Sequence, residues 1–163
     1  MIMASTIQAT EPYILFDLAG TTYGVKSREV LHMEMLEQIT PVPNARHFLD
    51  GVVFSRGQVI PAVNLRVRFG FARQPHTLRT RLLVVQAGER AVGLIVDSAS
   101  EFRTISENAI QPPDAAVTGS SGKFLSGIAN LNDRLVLILD LQTTLNLLDS
   151  ESLSARPEPA LAS

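Results

Sequence analysis

The stretch that decides the fold is GVVFSRGQVIPAVNL, residues 51–65, because the chain repeats its pattern as GIANLNDRLVLILDL, residues 127–141, without a gap. The offset between the copies is 76 (127 − 51). Each copy runs from a glycine through a short apolar stretch and a polar turn into a longer apolar strand, and ends with Asn or Asp before Leu. Internal repetition reveals the architectural unit of a chain. The repeat predicts two related β-rich halves and favours an interaction scaffold over an enzyme with a deep pocket.

Two further blocks extend the repeat toward the N-terminus. Residues 14–25 resemble residues 83–94 at an offset of 69 (93 − 24), and residues 39–43 resemble residues 110–113 at an offset of 71 (110 − 39). The drift from 69 to 76 predicts extra loop in the second half, and we place it within residues 114–126. Because the three blocks keep their order and nearly keep their offset, we interpret them as a true repeat rather than as chance similarity between hairpins.

Composition excludes several classes of protein. The 163 residues are 45% apolar, which fits one domain or two small lobes that share a core. The absence of cysteine excludes a disulfide framework, thiolate metal sites and cysteine catalysis. A net charge of −2 gives no electrostatic reason to expect nucleic-acid binding. The longest apolar run, residues 135–139, is too short to cross a bilayer, and the start of the chain lacks the features of a secretory signal. We expect a cytoplasmic protein without direct membrane insertion.

Short strands separated by regular turns predict an all-β fold. Residues 13–18 and 23–26 flank a glycine turn and predict a hairpin. The apolar residues of segment 27–39 fit neither the helical period nor the strand period cleanly, and they favour a strand slightly over a helix. Asn64 and Asp140 are placed to cap short helices, and Asn44 is placed to cap one helical turn over residues 44–50. We expect residues 1–12 and residues 150–163 to be flexible.

A search for catalytic chemistry finds no convergent set of residues. His32, His47 and His76 are scattered, and metal sites draw several ligands from clustered positions. The Gly- and Ser-rich segment 119–122 lacks the strand-turn-helix context of a nucleophile elbow. We therefore predict a protein that is not an enzyme and that uses no cofactor and no metal.

Arg56 is the residue that most invites a functional interpretation. It lies at the tip of a predicted tight turn, beside Gly57, which permits unusual backbone angles. Exposed arginines are frequent at binding hot spots because the guanidinium offers both contact area and fixed donors. The alternative is that Arg56 is an ordinary solvated turn residue. The sequence by itself does not decide between a binding role and this alternative.

Five blocks of the sequence resemble the chemotaxis coupling protein family, the CheW-like domains. They are FDL with YGV (residues 16–25), ITPVPN (residues 39–44), GV with RG and VIP (residues 51–61), GLIVD (residues 93–97), and GIA with RL and ILDL (residues 127–141). Together they span about residues 13–148. Their order and spacing carry the resemblance, since no block is decisive by itself.

The resemblance implies two pseudo-repeated five-stranded SH3-like β-barrels packed through a shared core, with short helices and a C-terminal helix. It implies a CheW-like domain over residues 13–149, made of two intertwined lobes at roughly 13–75 and 76–149. It also implies a non-enzymatic adaptor that joins the cytoplasmic tip of methyl-accepting chemoreceptors to the regulatory domain of a CheA-type histidine kinase. Such a protein is cytoplasmic and recruited to membrane-associated receptor arrays.

Carried over residue by residue, the resemblance implies two contact sets. An apolar receptor helix is expected to press on a groove with an arginine at its rim, and this receptor set is Val30, His32, Arg56, Gly57, Val59, Val92 and Gly93. The expected kinase contacts in the first lobe are Asn44, Phe48 and Gly51.

The chain departs from the family pattern at three places. Phe54-Ser55 precedes the Arg-Gly turn where the family commonly has Asn-Leu, Asn64 replaces an acid, and His32 stands where an acid is frequent. Asn caps a helix as well as Asp does, so Asn64 preserves the fold. The other two departures change the expected receptor face. Two alternatives stay open at this point: a CheW-like scaffold of a non-flagellar pathway (surface motility or a second messenger), and a small β-barrel ligand-binding protein.

Overall fold

The computed structural model describes residues 9–114 and 119–145. Within these ranges the chain forms eleven strands and a short helix, α1. Residues 141–145 are also helical. The elements are β1 Thr10–Leu18, β2 Thr21–Lys26, β3 Val30–Met35, β4 Leu49–Ser55, β5 Gln58–Asn64, α1 Leu65–Arg68, β6 Arg81–Ala87, β7 Arg90–Val96, β8 Ser98–Ser106, β9 Ile110–Gln111, β10 Leu125–Asn130 and β11 Leu135–Leu139.

The strands form two sheets, which confirms the predicted all-β class. The first sheet has the order β8-β1-β2-β11-β10-β9, and the second has the order β3-β6-β7-β5-β4. Neighbouring strands are antiparallel except for two parallel pairs, β2 with β11 and β5 with β7. Each sheet encloses an apolar cluster of its own, and a third cluster lies between the sheets.

Neither half of the repeat builds a sheet by itself. The first sheet takes β1 and β2 from the first half and β8 to β11 from the second, whereas the second sheet takes β6 and β7 from the second half and β3 to β5 from the first. The two parallel pairs are the seams, with Tyr23 opposite Leu137 and Ala62 opposite Gly93. The expected segments 13–75 and 76–149 thus describe the repeat units, and each sheet combines strands of both units.

The backbone reproduces the sequence repeat at the ends of β5 and β11. The N–H of Asn64 donates to the carbonyl oxygen of Phe48, and the N–H of Asp140 donates to that of Phe124, both at 2.7 Å. Each side chain, Asn64 and Asp140, then accepts a bond from the backbone N–H three residues later, at 3.3 and 3.0 Å. The two predicted helix caps are confirmed. Leu148, the last residue of the predicted C-terminal apolar stripe, lies outside the described residues.

Two predictions about local structure are wrong. The segment 44–50 forms turns that lead into β4 rather than a helical turn, because Asn44 has a φ of 60° and residues 49–50 already pair in the sheet. The flexible start was expected to extend to residue 12, yet β1 begins at Thr10 and pairs there with Ser106 of β8. Residues 1–8 and the predicted tail 150–163 lie outside the described residues.

The core explains why the central strands are almost continuously apolar. In β6, Leu82 and Val84 point into the interior of the second sheet, while Leu83 and Val85 point into the cluster between the sheets. Both faces of the strand are therefore buried, and polar alternation is absent. Aromatic rings extend this inter-sheet cluster, with centroid distances of 5.7, 5.7 and 4.9 Å along the series Phe16, Tyr23, Phe69 and Phe124.

Candidate partner-binding surfaces

The hairpin of β4 and β5 ends in a tight turn that projects a cation. Arg56 and Gly57 have φ values of 48° and 88°, which is the pattern of a two-residue type I′ turn. Such a turn matches the twist of the flanking strands and therefore fixes the direction in which Arg56 points. Arg56 is exposed and makes no hydrogen bond or ion pair with any residue that the structure describes.

Apolar side chains flank this turn on the outer surface. Phe54 and Val59 are cross-strand partners in the hairpin, and 74% and 64% of their surfaces are exposed. Met35, at the end of β3, is 55% exposed and lines a shallow groove together with Phe54. We call Phe54, Val59, Met35 and Arg56 the hairpin platform. Exposed apolar area beside an unpaired arginine has the composition of a protein-binding surface.

A polar cluster behind the platform joins the two edges of the second sheet. The Nε2 atom of His32 lies 2.6 Å from Oε2 of Glu34 and 3.1 Å from Oγ of Ser55, and the Ser55 hydroxyl donates to Glu34. His32 and Glu34 belong to β3 and Ser55 to β4, so these contacts close the curled sheet. Because His32 is mostly enclosed and already engaged, it positions the hairpin and offers little surface to a partner.

The structure divides the expected receptor set. Arg56, Gly57 and Val59 share the hairpin platform or its turn. Val92, in contrast, is 1% exposed and packs in the cluster between the sheets, against which Val30 also packs. Val92 therefore offers no surface to a partner helix, whereas Val30 is only partly buried and stays an expected contact.

Gly93 is also enclosed. A Cβ atom at Gly93 would lie 2.7 Å from Cδ1 of Leu82 inside the second sheet, so a side chain at this position would have to displace Leu82. Gly93 therefore offers a partner no exposed surface, and its role as a receptor contact stays a prediction.

The expected kinase set is divided in the same way. Asn44 is exposed in the turn before β4, but Phe48 is 1% exposed in the inter-sheet cluster. Gly51 is buried against Thr40 and adds no side-chain surface. Of the three residues, Asn44 alone presents a side chain to solvent.

The equivalent hairpin tip of β10 and β11 has different chemistry. Asn132 takes the position of Arg56 (132 − 56 = 76), and Arg134 donates from Nη2 to Oε1 of Glu101 at 2.5 Å. Arg103 donates to the other oxygen of Glu101 at 3.0 Å and lies 3.4 Å from Asp133. Hydrogen bonds from Arg134, outweighing burial, lower the pKa of Glu101. The charged groups at this tip form ion pairs with one another, whereas Arg56 at the first tip has no such partner among the described residues.

An ion pair links the two sheets beside a cleft of about 460 Å³. Arg66 donates from Nε and Nη2 to the two oxygens of Asp97 at 2.8 and 2.9 Å, and the N–H of Ala19 donates to the same carboxylate at 2.9 Å. Burial raises the pKa of Asp97, but these hydrogen bonds outweigh it, and the net pKa lies below the ordinary 3.8.

We expect Asp97→Asn to change how stability depends on pH. Because the folded pKa is lowered, the carboxylate stabilises the fold fully above its unfolded pKa of about 3.8, and the stabilisation is lost as the pH falls through the lower folded value. Urea unfolding of both proteins should give a difference in free energy that is constant above about pH 5 and shrinks at lower pH. Glu37→Gln, at an exposed position, is the control. A difference that stays constant into strong acid would contradict this assignment.

Two features are absent from the part of the chain that the structure describes. Across residues 9–114 and 119–145, no group of three or more His, Asp or Glu side chains is arranged to hold a metal ion. In the same ranges no helix has the length and apolar character needed to span a membrane.

Comparison with known proteins yields one family. The model of the CheW-like domain matches residues 12–149. The chemotaxis protein CheW of Rhizobium meliloti is 32% identical over 130 residues, which cover 80% of this chain and 84% of that protein. CheW of Klebsiella aerogenes is 29% identical over 145 residues, covering 88% and 85% of the two chains.

A solved structure agrees with the sequence comparison. The scaffolding protein TtCheW of Thermoanaerobacter tengcongensis superposes with a TM-score of 0.77 and 31% sequence identity. The match covers 83% of this chain and 92% of that one. Protein FrzA of Myxococcus xanthus is a further relative, 32% identical over 114 residues that cover 68% of this chain and 69% of FrzA.

Proposed function

The chain belongs to the CheW-like domain family, and from this premise we propose that it couples chemoreceptor signalling tips to a CheA-type histidine kinase. The family membership supports a scaffold or adaptor in chemotaxis. The finer proposal is that one surface binds the receptor and another binds the regulatory domain of the kinase, without any reaction of the adaptor's own. We further propose that the protein works in the cytoplasm, where receptor arrays recruit it.

The hairpin platform is the observation that carries this proposal. A receptor tip is a helical hairpin, and an apolar stripe on such a helix would cover Phe54 and Val59, which are otherwise left in water. Arg56 at the edge of the stripe would pair with a carboxylate of the helix through its fixed donors. We therefore centre the proposed receptor face on the hairpin tip and leave out Val92, which is 1% exposed; Val30 is partly buried and can still contribute at its edge.

The difference between the two hairpin tips supports a bridging role. Pseudo-equivalent lobes give a protein two related surfaces, and different tip chemistry lets those surfaces select different partners. The first tip offers an unpaired cation among apolar groups, whereas the second offers an ion-paired network beside Leu135, which is 58% exposed. We assign the first tip to the receptor. Asn44 remains the proposed kinase contact of the first lobe, since its side chain is accessible.

We expect Arg56→Glu to abolish receptor binding while the fold survives. The reversed charge meets the partner's carboxylate as a repulsive pair. An exposed turn residue whose side chain forms no hydrogen bond or ion pair with the described residues contributes little to stability. Co-sedimentation with membranes that carry the cognate receptor and its kinase should fall at least about tenfold, which corresponds to 1.4 kcal/mol of binding free energy. The receptor and kinase are first identified by a pull-down from the cell extract, which also tells a flagellar pathway from another output.

Arg79→Glu is the matched control, because Arg79 is an exposed arginine in the segment between the two halves and away from the platform. It should sediment like the unaltered protein. If Arg56→Glu retains the ternary complex and activates the kinase normally, the platform is not the receptor site. If neither a receptor nor a kinase is retained by the unaltered protein, the coupling function itself is wrong.

A further inference from the structure

A row of exposed apolar side chains crosses three strands at the hairpin platform. β3 and β4 run antiparallel, because β3 is antiparallel to β6, β6 to β7 and β5 to β4, whereas β7 and β5 are parallel. The side chains of Glu34 and Ser55 are in contact, so their chain neighbours Met35 and Phe54 come side by side and line a groove of about 290 Å³. Val59 continues the row on β5. Strands lie about 4.8 Å apart, so the row is at least about 10 Å long, the length of two helical turns.

Side chains hold β3 and β4 together at this row. The two strands are the edges of the second sheet and share no backbone ladder in the described sheet. His32 and Ser55 both donate to Oε2 of Glu34, because a carboxylate oxygen only accepts, and the His32 ring also lies 3.1 Å from the Ser55 hydroxyl. We call His32, Glu34 and Ser55 the clasp. The next tie between these segments is the backbone bridge of Thr40 with Val52.

The clasp sets the spacing of Met35 and Phe54. Side chains alternate along a strand, so Ser55 is buried at 4% exposure while its neighbour Phe54 points outward, and Met35 points outward beside Glu34. A partner that contacts Met35 and Phe54 at once must match the distance between them. Contacts of this kind are selective only when the residues behind them fix their positions. The clasp supplies that support from inside the barrel edge.

The residues involved are also those at which the expected receptor face departs from the family pattern. These departures are His32 and the pair Phe54-Ser55. In the structure His32 and Ser55 contact each other, and Phe54 is the exposed side chain next to Ser55. The departures therefore form one connected unit rather than independent changes.

We propose that the clasp and Phe54 together determine which partner the hairpin platform accepts. Phe54 is the contact residue, and the three clasp residues are positioning residues that act through it. The partner is an amphipathic helix whose apolar stripe is about two turns long, so that it covers the whole row, with an acidic residue beside the stripe for Arg56. This inference rests on the proposed receptor coupling and deepens it by naming what selects the receptor.

The first test measures how tightly the full chain binds the cytoplasmic fragment of the receptor that the pull-down identifies, without kinase. Phe54→Ala should weaken binding at least about tenfold, because a large aromatic side chain at the centre of an interface is a typical hot spot. Phe102→Ala is the matched control, since Phe102 is an exposed phenylalanine (63%) on β8 of the other sheet. It should bind the receptor fragment like the unaltered protein.

A double-mutant cycle separates positioning from stability. Ser55→Ala and His32→Leu should each weaken receptor binding about threefold to tenfold, whereas His32→Gln keeps a side-chain N–H donor and should retain most of the binding. In the Phe54→Ala background, Ser55→Ala should have no further effect on binding, because the clasp acts through Phe54. Its effect on urea unfolding should persist in that background.

Three results would overturn the proposal: normal binding by Phe54→Ala, clasp variants that lose stability but not affinity, or a Ser55→Ala effect that is the same with and without Phe54. If Arg56→Glu loses the receptor while Phe54→Ala keeps it, the coupling function stands and this inference alone is wrong. If the unaltered protein binds no receptor, NMR still tests the positioning role. The Met35 methyl resonance should shift in Ser55→Ala, and an unchanged resonance would contradict the clasp.

Discussion

Produced as separate polypeptides, residues 1–75 and residues 76–163 are each expected to stay unfolded, and to fold together when mixed. The first segment contains β1 to β5 but lacks the β6–β7 pair that joins β3 to β5. The second segment lacks β1 and β2, which join β8 to β11. Each segment alone can therefore form only isolated hairpins, and the stability of an isolated hairpin in water is marginal. Circular dichroism and size exclusion of each segment and of the equimolar mixture measure the effect.

Cutting the chain after folding is the matched control. A protease site inserted between Gln74 and Pro75 lies in the exposed connecting segment, so cleavage there breaks no strand pairing. The nicked protein should elute as one species and unfold cooperatively, because the strand exchange holds its two pieces together. If either segment alone shows a dispersed amide spectrum and a cooperative transition, the strand exchange is not required for folding.

The sequence pattern reveals the repeat unit but not the exchange of strands between units. Glycine positions, apolar runs and the caps at Asn64 and Asp140 are local properties, and these were predicted correctly. Which strand pairs with which depends on contacts distant in the chain, such as Tyr23 with Leu137. Strands paired within one half and strands exchanged between the halves would satisfy the same local pattern, because the two halves carry nearly the same strands. The correct pairing follows from the three-dimensional packing of both halves.

Only part of the proposed hairpin platform can be predicted from the sequence, for a related reason. A glycine beside Arg56 indicated a tight turn, and the turn exposes whatever side chain it carries. An apolar residue such as Val92 gives no such indication, since an inward face, an inter-sheet face and a binding face all favour valine. Phe54 was noted only as a departure from the family. The alternation in β4 was an available signal, because the outward position of Phe54 follows from the inward position of Val53.

Gly51→Ala is expected to destabilise the fold far more than a typical surface substitution. The φ of Gly51 is 147°, and a Cβ atom there would lie 2.1 Å from the backbone oxygen of Thr40. Backbone strain and overpacking each cost about 1–3 kcal/mol, and neither can relax easily because the clash is with backbone that pairs with Val52. The free energy of unfolding should fall by about 3 kcal/mol or more, with a loss of roughly 6–12 °C in Tm.

Gly57→Ala is the control that separates this steric demand from the general cost of a positive φ. Gly57 has a φ of 88°, but a Cβ atom there would have no neighbour within 4 Å, so the substitution should cost only about 1–2 kcal/mol. Urea unfolding of both variants measures the difference, and kinase binding is measured on the whole sample together with its folded fraction. Because Gly51 presents no side chain, any loss of kinase binding in Gly51→Ala should scale with the unfolded fraction. Equal stability of the two variants would refute the steric role. A folded Gly51→Ala protein that fails to bind kinase would show instead that Gly51 is a contact, as the family resemblance implies.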